Sequence, residues 1–135
     1  MLRSFCQSNK HRLKPAHLRS GIAAEKFARQ WLCSQGLECI ANNFCCKAGE
    51  IDLILIDRGC LVIAEVRYRS KDSHGGALAS VTNRKQHRII RATALWLKLH
   101  PDLTTMPLRF DVVAIEGPLH SAKVDWCKCA FDTTA

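Results

Sequence analysis

Apolar residues recur along this chain in two rhythms. Over residues 21–35 they come at helical spacing: Ala24, Phe27, Ala28, Trp31 and Leu32 share one face, with Lys26, Arg29, Gln30 and Cys33 opposite. Ser20 suits an N-cap and Gly36 a C-terminal stop. Residues 37–46 read as an extended segment with a bulge or kink near Asn42-Asn43. Residues 49–57 and 60–69 are strands rich in Ile, Leu and Val, joined by a tight turn at Asp57-Arg58-Gly59. A polar, Gly-containing loop follows over 70–82. Helical spacing returns over 83–99, with Thr82 or Ser80 as cap and Pro101 beyond the end. Residues 108–116 form another buried strand. After the break at Gly117-Pro118, residues 123–131 form a weaker one, placed at an edge. This order predicts an α/β fold whose mixed sheet is flanked by helices, with a right-handed parallel crossover from 60–69 to 108–116.

Two acids break the apolar pattern. With a two-residue turn at Arg58-Gly59, Asp52 faces Glu65 and Glu50 faces Arg67, on the same side as Ile54, Ile56, Leu61 and Ile63. Facing carboxylates repel, more so when buried. The conflict has three resolutions: a protonated carboxyl, a Lys or Arg between the pair, or a divalent metal binding both. Hard oxygen ligands are what Mg²⁺ or Mn²⁺ takes. The plainer alternative is a solvent-facing Asp52, with Glu65 paired to Arg67 or Arg69.

Other residues converge on the same place. Glu25 lies at the margin of the first helix's apolar face, where it either skirts the core toward the sheet or pairs with Arg29 on the surface. Lys85 and Gln86, in the first turn of the second helix, should point inward over the end of the sheet. Arg84, Arg88 and Arg91 recur on the other face, as a stripe for phosphates or as a solvated surface. His74-Gly75-Gly76 follows the strand that carries Glu65. That loop is either a cover in which His74 touches phosphate or an ordinary surface loop.

Size and charge narrow the class. The 135 residues suffice for one core, with 1–20 as a basic, flexible arm and 21–135 as a single domain. No apolar run approaches the ~20 residues of a membrane-spanning helix, and no signal-peptide segment opens the chain, so a cytoplasmic protein is expected. The net charge is +8, and residues 1–20 contribute five basic residues and no acid. Such an arm suits a polyanion; a solvated tail or a transit peptide are the alternatives. The eight cysteines lack zinc-ribbon spacing and are expected as reduced thiols used as small apolar residues.

The motifs G49-E-I-D-L-I54 and A64-E-V-R-Y-R69 resemble the bipartite PD-(D/E)xK signature of restriction-endonuclease-like nucleases. With A24-E25, N42-N43, G75-G76, K85-Q86 and R109-F-D-V-V, the chain more closely resembles the YraN family of small bacterial nuclease-like proteins, over residues 20–116. The resemblance implies an αβββαβ core and a metal-dependent nuclease acting on DNA, branched DNA included. It implies Mg or Mn held by Asp52, Glu65 and the Val66 carbonyl. Glu25 would match the helix carboxylate of archaeal Holliday-junction resolvases, to which the family is similar. Those relatives act as dimers, so a homodimer is worth testing. Arg12, Lys14, Arg19, Arg69, Arg84 and Arg88 would contact nucleic acid, and Glu50 and Gln86 are further site candidates. The signature expects Lys at 67, where this chain has Arg. Arg67 could keep the electrostatic role, or Lys85 could serve from the helix. The rival readings are a nucleic-acid-binding protein without catalysis and a protein-interaction adaptor using the edge strand 123–131.

Overall fold

The computed structural model describes residues 16–69 and 81–133, with side chains from Ser20 onward. Its elements run α1 (Ala16–Ser34), β1 (Glu38–Cys46), β2 (Gly49–Asp57), β3 (Cys60–Arg69), α2 (Asn83–Leu99), β4 (Leu108–Glu116) and β5 (Lys123–Phe131). The strands form one sheet in the order β1-β2-β3-β4-β5, antiparallel except for the β3–β4 pair. The chain is therefore α/β with the αβββαβ order of the restriction-endonuclease-like fold, extended by β5 at the edge.

The helices cover opposite faces of the sheet. Ala24, Ala28 and Leu32 of α1 pack on Leu53, Leu55, Val62, Ala64, Val113 and Ile115. Ile89, Ala92 and Trp96 of α2 pack on Ile54, Leu61, Ile63 and Phe110. Odd and even positions of the central strands thus feed different layers, as a period of two requires. The β2–β3 turn is a two-residue one, with Arg58 at φ 51 and Gly59 at φ 80 and with Asp57 opposite Cys60. Both central residues sit in the left-handed region that a type I′ turn demands. Thr82 caps α2, its hydroxyl accepting from the Lys85 N–H at 3.2 Å.

One expectation needs correction. Ser20 is not the N-cap of α1; it lies inside the helix, which spans Ala16–Ser34. The described cysteines are all free thiols, as expected; Cys39 and Cys46 pack against the core as small apolar residues, while Cys33 and Cys129 are exposed. The kink expected in β1 is real. Asn43 has φ 52, and a separate bulge lies between Cys39 and Ala41.

Candidate active site

The β2–β3 ladder stops at Leu53 opposite Ala64. Continued in that register it would place Val66 opposite Ile51 and Arg67 opposite Glu50. Instead the Val66 N–H donates to Oδ2 of Asp52 at 2.9 Å, so a carboxylate replaces the backbone acceptor and the strands part. Ile51 accordingly joins the α2-side layer with Ile54, although strict alternation would send it to the other face. The expected Glu50–Arg67 pairing is therefore not made. Glu50 is exposed and sits across from Cys45 of β1.

The parted end gathers the acids. Asp52 lies against the carboxyls of Glu65 and Glu25, and Glu25 also reaches the Asn43 side chain. Burial, then the charges of Glu65 and Glu25, push the Asp52 carboxyl well above its ordinary value, against the pull of the Val66 N–H. Glu25 is also raised, by burial first and then by Glu50 and Glu65, while its contacts with Asn43 and Asp52 favour its charged form. Both directions shift Asp52 and Glu25 toward their neutral forms. Glu65 is 4% exposed, and Lys85 reaches it from α2 with Nζ 2.6 Å from Oε1. Arg67 Nη1 stands farther off, at 3.7 Å from the same oxygen. Of the three ways to reconcile facing acids, the contacts show the cation: Lys85 sits on Glu65.

Two open clefts flank this group. One of about 480 Å³ lies between α1 and β3 and is lined by Glu25, Arg67, Tyr68 and Arg69. The other, about 500 Å³, is lined by Glu50, Asp52, Glu65, Arg84, Lys85 and Arg88. Gln86 turns away, its amide donating to the Val81 carbonyl at 3.1 Å. Arg12, Lys14 and His74 lie outside the described residues, as does the side chain of Arg19. Two contributors went unassigned in the sequence. Asn43 had its kink as a signal, and Gly49 is where α2 comes closest: a Cβ there would meet the Arg88 Cβ and carbonyl oxygen at 3.1 Å each.

The donor set suits a hard cation. Carboxyl groups gathered this closely offer the oxygens Mg²⁺ or Mn²⁺ prefers. Among the described residues, however, no group of three or more His, Cys, Asp or Glu is arranged to hold a metal. A cation here would rest on few protein oxygens and keep several waters, which is the habit of Mg²⁺. The described residues contain no helix long and apolar enough to cross a membrane.

Comparison with known sequences gives one consistent answer. The profile of the family described as "Uncharacterised protein family UPF0102" matches residues 24–115. A UPF0102 protein of Pseudomonas putida (strain GB-1) is 44% identical over 115 residues, covering 84% of this chain and 94% of its own. One from Alcanivorax borkumensis is 47% identical over 113 residues, covering 83% and 90%. The matched span takes in Glu25, Asp52, Glu65, Arg67 and Lys85 alike, and the chain belongs to the UPF0102 family, the YraN proteins that its motifs resemble.

Proposed function

We propose that the protein is a metal-dependent nuclease that hydrolyses phosphodiester bonds in DNA. The observation that carries this reading is the meeting of Glu25, Asp52 and Glu65 at a parted sheet end, with Lys85 on Glu65 and with Arg84 and Arg88 lining the cleft beside them. Asp52 and Glu65, helped by Glu25 and the Val66 carbonyl, would hold Mg²⁺ or Mn²⁺. The ion would supply Lewis acidity at the phosphate and a water of lowered pKa. Lys85 takes the part expected of a lysine at position 67. Its ammonium enters from α2 at salt-bridge distance from Glu65, close enough to stabilise charge developing on the phosphate oxygens. Arg67 stays protonated and serves from the other side as a donor.

The test begins with calorimetric titration of Mn²⁺ into wild type, Asp52→Asn and Glu65→Gln, followed by cleavage of duplex and branched DNA. Saturable binding is expected in wild type and lost in both variants. Lys85→Ala should cut cleavage by about 100-fold or more, the scale of one missing transition-state donor, and Arg67→Ala by less. Binding unchanged in both acid variants, or no cleavage of any DNA with Mn²⁺ present, would reject the reading.

A further inference from the structure

Helix α2 carries Arg84, Lys85, Arg88, Arg91 and Lys98 and no acid at all. Its inner side is Ile89, Ala92, Thr93 and Trp96, so the arginines fall on the outer face. Arg84 and Arg88 line the cleft that holds Asp52 and Glu65. Arg91 extends the stripe by another turn, about 5 Å along the axis. Exposed Lys47, in the β1–β2 turn, adds to its flank: Arg88 rests on that turn, with Nε 3.5 Å from the Ala48 carbonyl oxygen.

This placement works against the helix. Cations are disfavoured in a first turn, and like charges four residues apart repel. Arg84 and Lys85 occupy the first turn with no acid, and Arg84 and Arg88 are four apart. Arg84, Arg88 and Arg91 pair with no carboxylate among the described residues. Three arginines without a salt-bridge partner carry a cost in the free protein that a polyanion lying on them would relieve. The outer face carries no Phe, Tyr or Trp, and the exposed ring of His87 is a small platform for an unpaired base, so phosphates are what it is best built to hold. Its partner presents phosphates outward and keeps its bases paired. A B-form duplex does so and leaves a groove wide enough for a helix, whereas the major groove of duplex RNA is deep and narrow.

We infer that the outer face of α2, flanked by Lys47, seats the sugar–phosphate backbone of a DNA duplex and leads it into the acidic cleft. The inference rests on the nuclease reading for the identity of the anion, but its test does not require cleavage. Binding of a labelled duplex to the full chain is followed by fluorescence anisotropy in EDTA across a salt series. A triple variant, Arg84→Gln with Arg88→Gln and Arg91→Gln, is set beside a control that removes equal charge elsewhere: Lys26→Gln, Arg58→Gln and Lys123→Gln.

The α2 triple should bind duplex DNA at least tenfold more weakly than the control. Its slope of log affinity against log salt should shrink by roughly 2–3, near 0.9 for each phosphate that is no longer neutralised. Its melting temperature should equal or exceed that of wild type, because the substitutions remove unfavourable charges. Equal weakening in the control, no duplex binding by wild type, or tighter binding of single strands or duplex RNA would overturn the inference. A wild type that binds through α2 yet never cleaves with Mn²⁺ would remove the nuclease reading and leave this one standing.

Discussion

Asp52 sits in an apolar strand where burial, Glu65 and Glu25 all disfavour its charge. Its folded pKa therefore lies above the ordinary 3.8, so as pH rises the folded chain gives up this proton later than the unfolded chain does. A group whose folded pKa is raised binds more protons when folded, so stability falls as pH rises through that pKa. Glu25 is raised from 4.5 and acts in the same direction. In EDTA, the melting temperature should fall as pH rises above 3.8 and through the raised folded values. Asp52→Asn should flatten that fall and melt a few degrees higher at the alkaline end, since the amide oxygen can still accept from the Val66 N–H. An unchanged slope in the variant would mean that charge burial at Asp52 is not what destabilises the free site. The Asp52–Glu65 contact was legible because a two-residue turn and strict alternation fix which side chains meet. Asn43 was not, since its reach to Glu25 depends on a left-handed kink that sequence marks only as a kink.

At the scale of elements, apolar period and turn chemistry sufficed for β2 through β5 and for α2, whose bounds match the expected ones. The start of α1 was misjudged because Ser20, a good cap by type, lies inside a helix that spans Ala16–Ser34. The early end of the β2–β3 ladder was not legible either. It depends on one carboxylate displacing a backbone acceptor, and no periodicity records that. How closely α2 rests on β2 is set by Gly49, where an added Cβ would sit 3.1 Å from the Arg88 Cβ and carbonyl oxygen. Gly49→Ala would gain roughly 0.4–1 kcal/mol from a stiffer unfolded chain. Overpacking against the helix backbone costs about 1–3 kcal/mol and should win. The variant should be less stable than wild type in urea. It should also bind Mn²⁺ differently, because α2 can yield only by carrying Lys85 away from Glu65. Unchanged stability and unchanged Mn²⁺ binding would show that the helix backbone gives way locally without moving the helix.

Across the whole molecule, two polar constellations are handled in opposite ways. From Asp52 to Asp57 is five residues of strand, about 16 Å, and at the far end Arg109 joins Asp57 and Asp111. Its Nη2 lies 2.8 Å from Asp57 Oδ2, and its Nε donates to both oxygens of Asp111 at 3.1 and 3.2 Å. Asp111, fully buried, also accepts from Trp126 Nε1 at 2.9 Å and from the Cys129 N–H at 3.1 Å, which ties edge strand β5 to β4. Burial alone would lower the Arg109 pKa, but its bonds and charge interactions with Asp111 and Asp57 raise it. The Arg109 hydrogen bond holds Asp57 below its ordinary value, so that contribution to stability is present above pH 3.8 and lost as pH falls through the folded value. The acids at one end thus favour mild acidity, while this tie fails in stronger acid. The Arg109 cluster pairs its charges in direct hydrogen bonds, which marks a structural role, whereas around Asp52 only Glu65 is in a salt bridge among the described residues. Asp111→Ala leaves a half-buried guanidinium with Asp57 alone, and leaves an indole N–H and a backbone N–H without their shared acceptor. The expected destabilisation is about 3–5 kcal/mol, a large part of the roughly 5–15 kcal/mol that holds a domain together. At a temperature where the variant is still folded, its Mn²⁺ affinity should match that of wild type. A stable Asp111→Ala protein that no longer binds Mn²⁺ would reverse the assignment and make the Arg109 cluster part of the site.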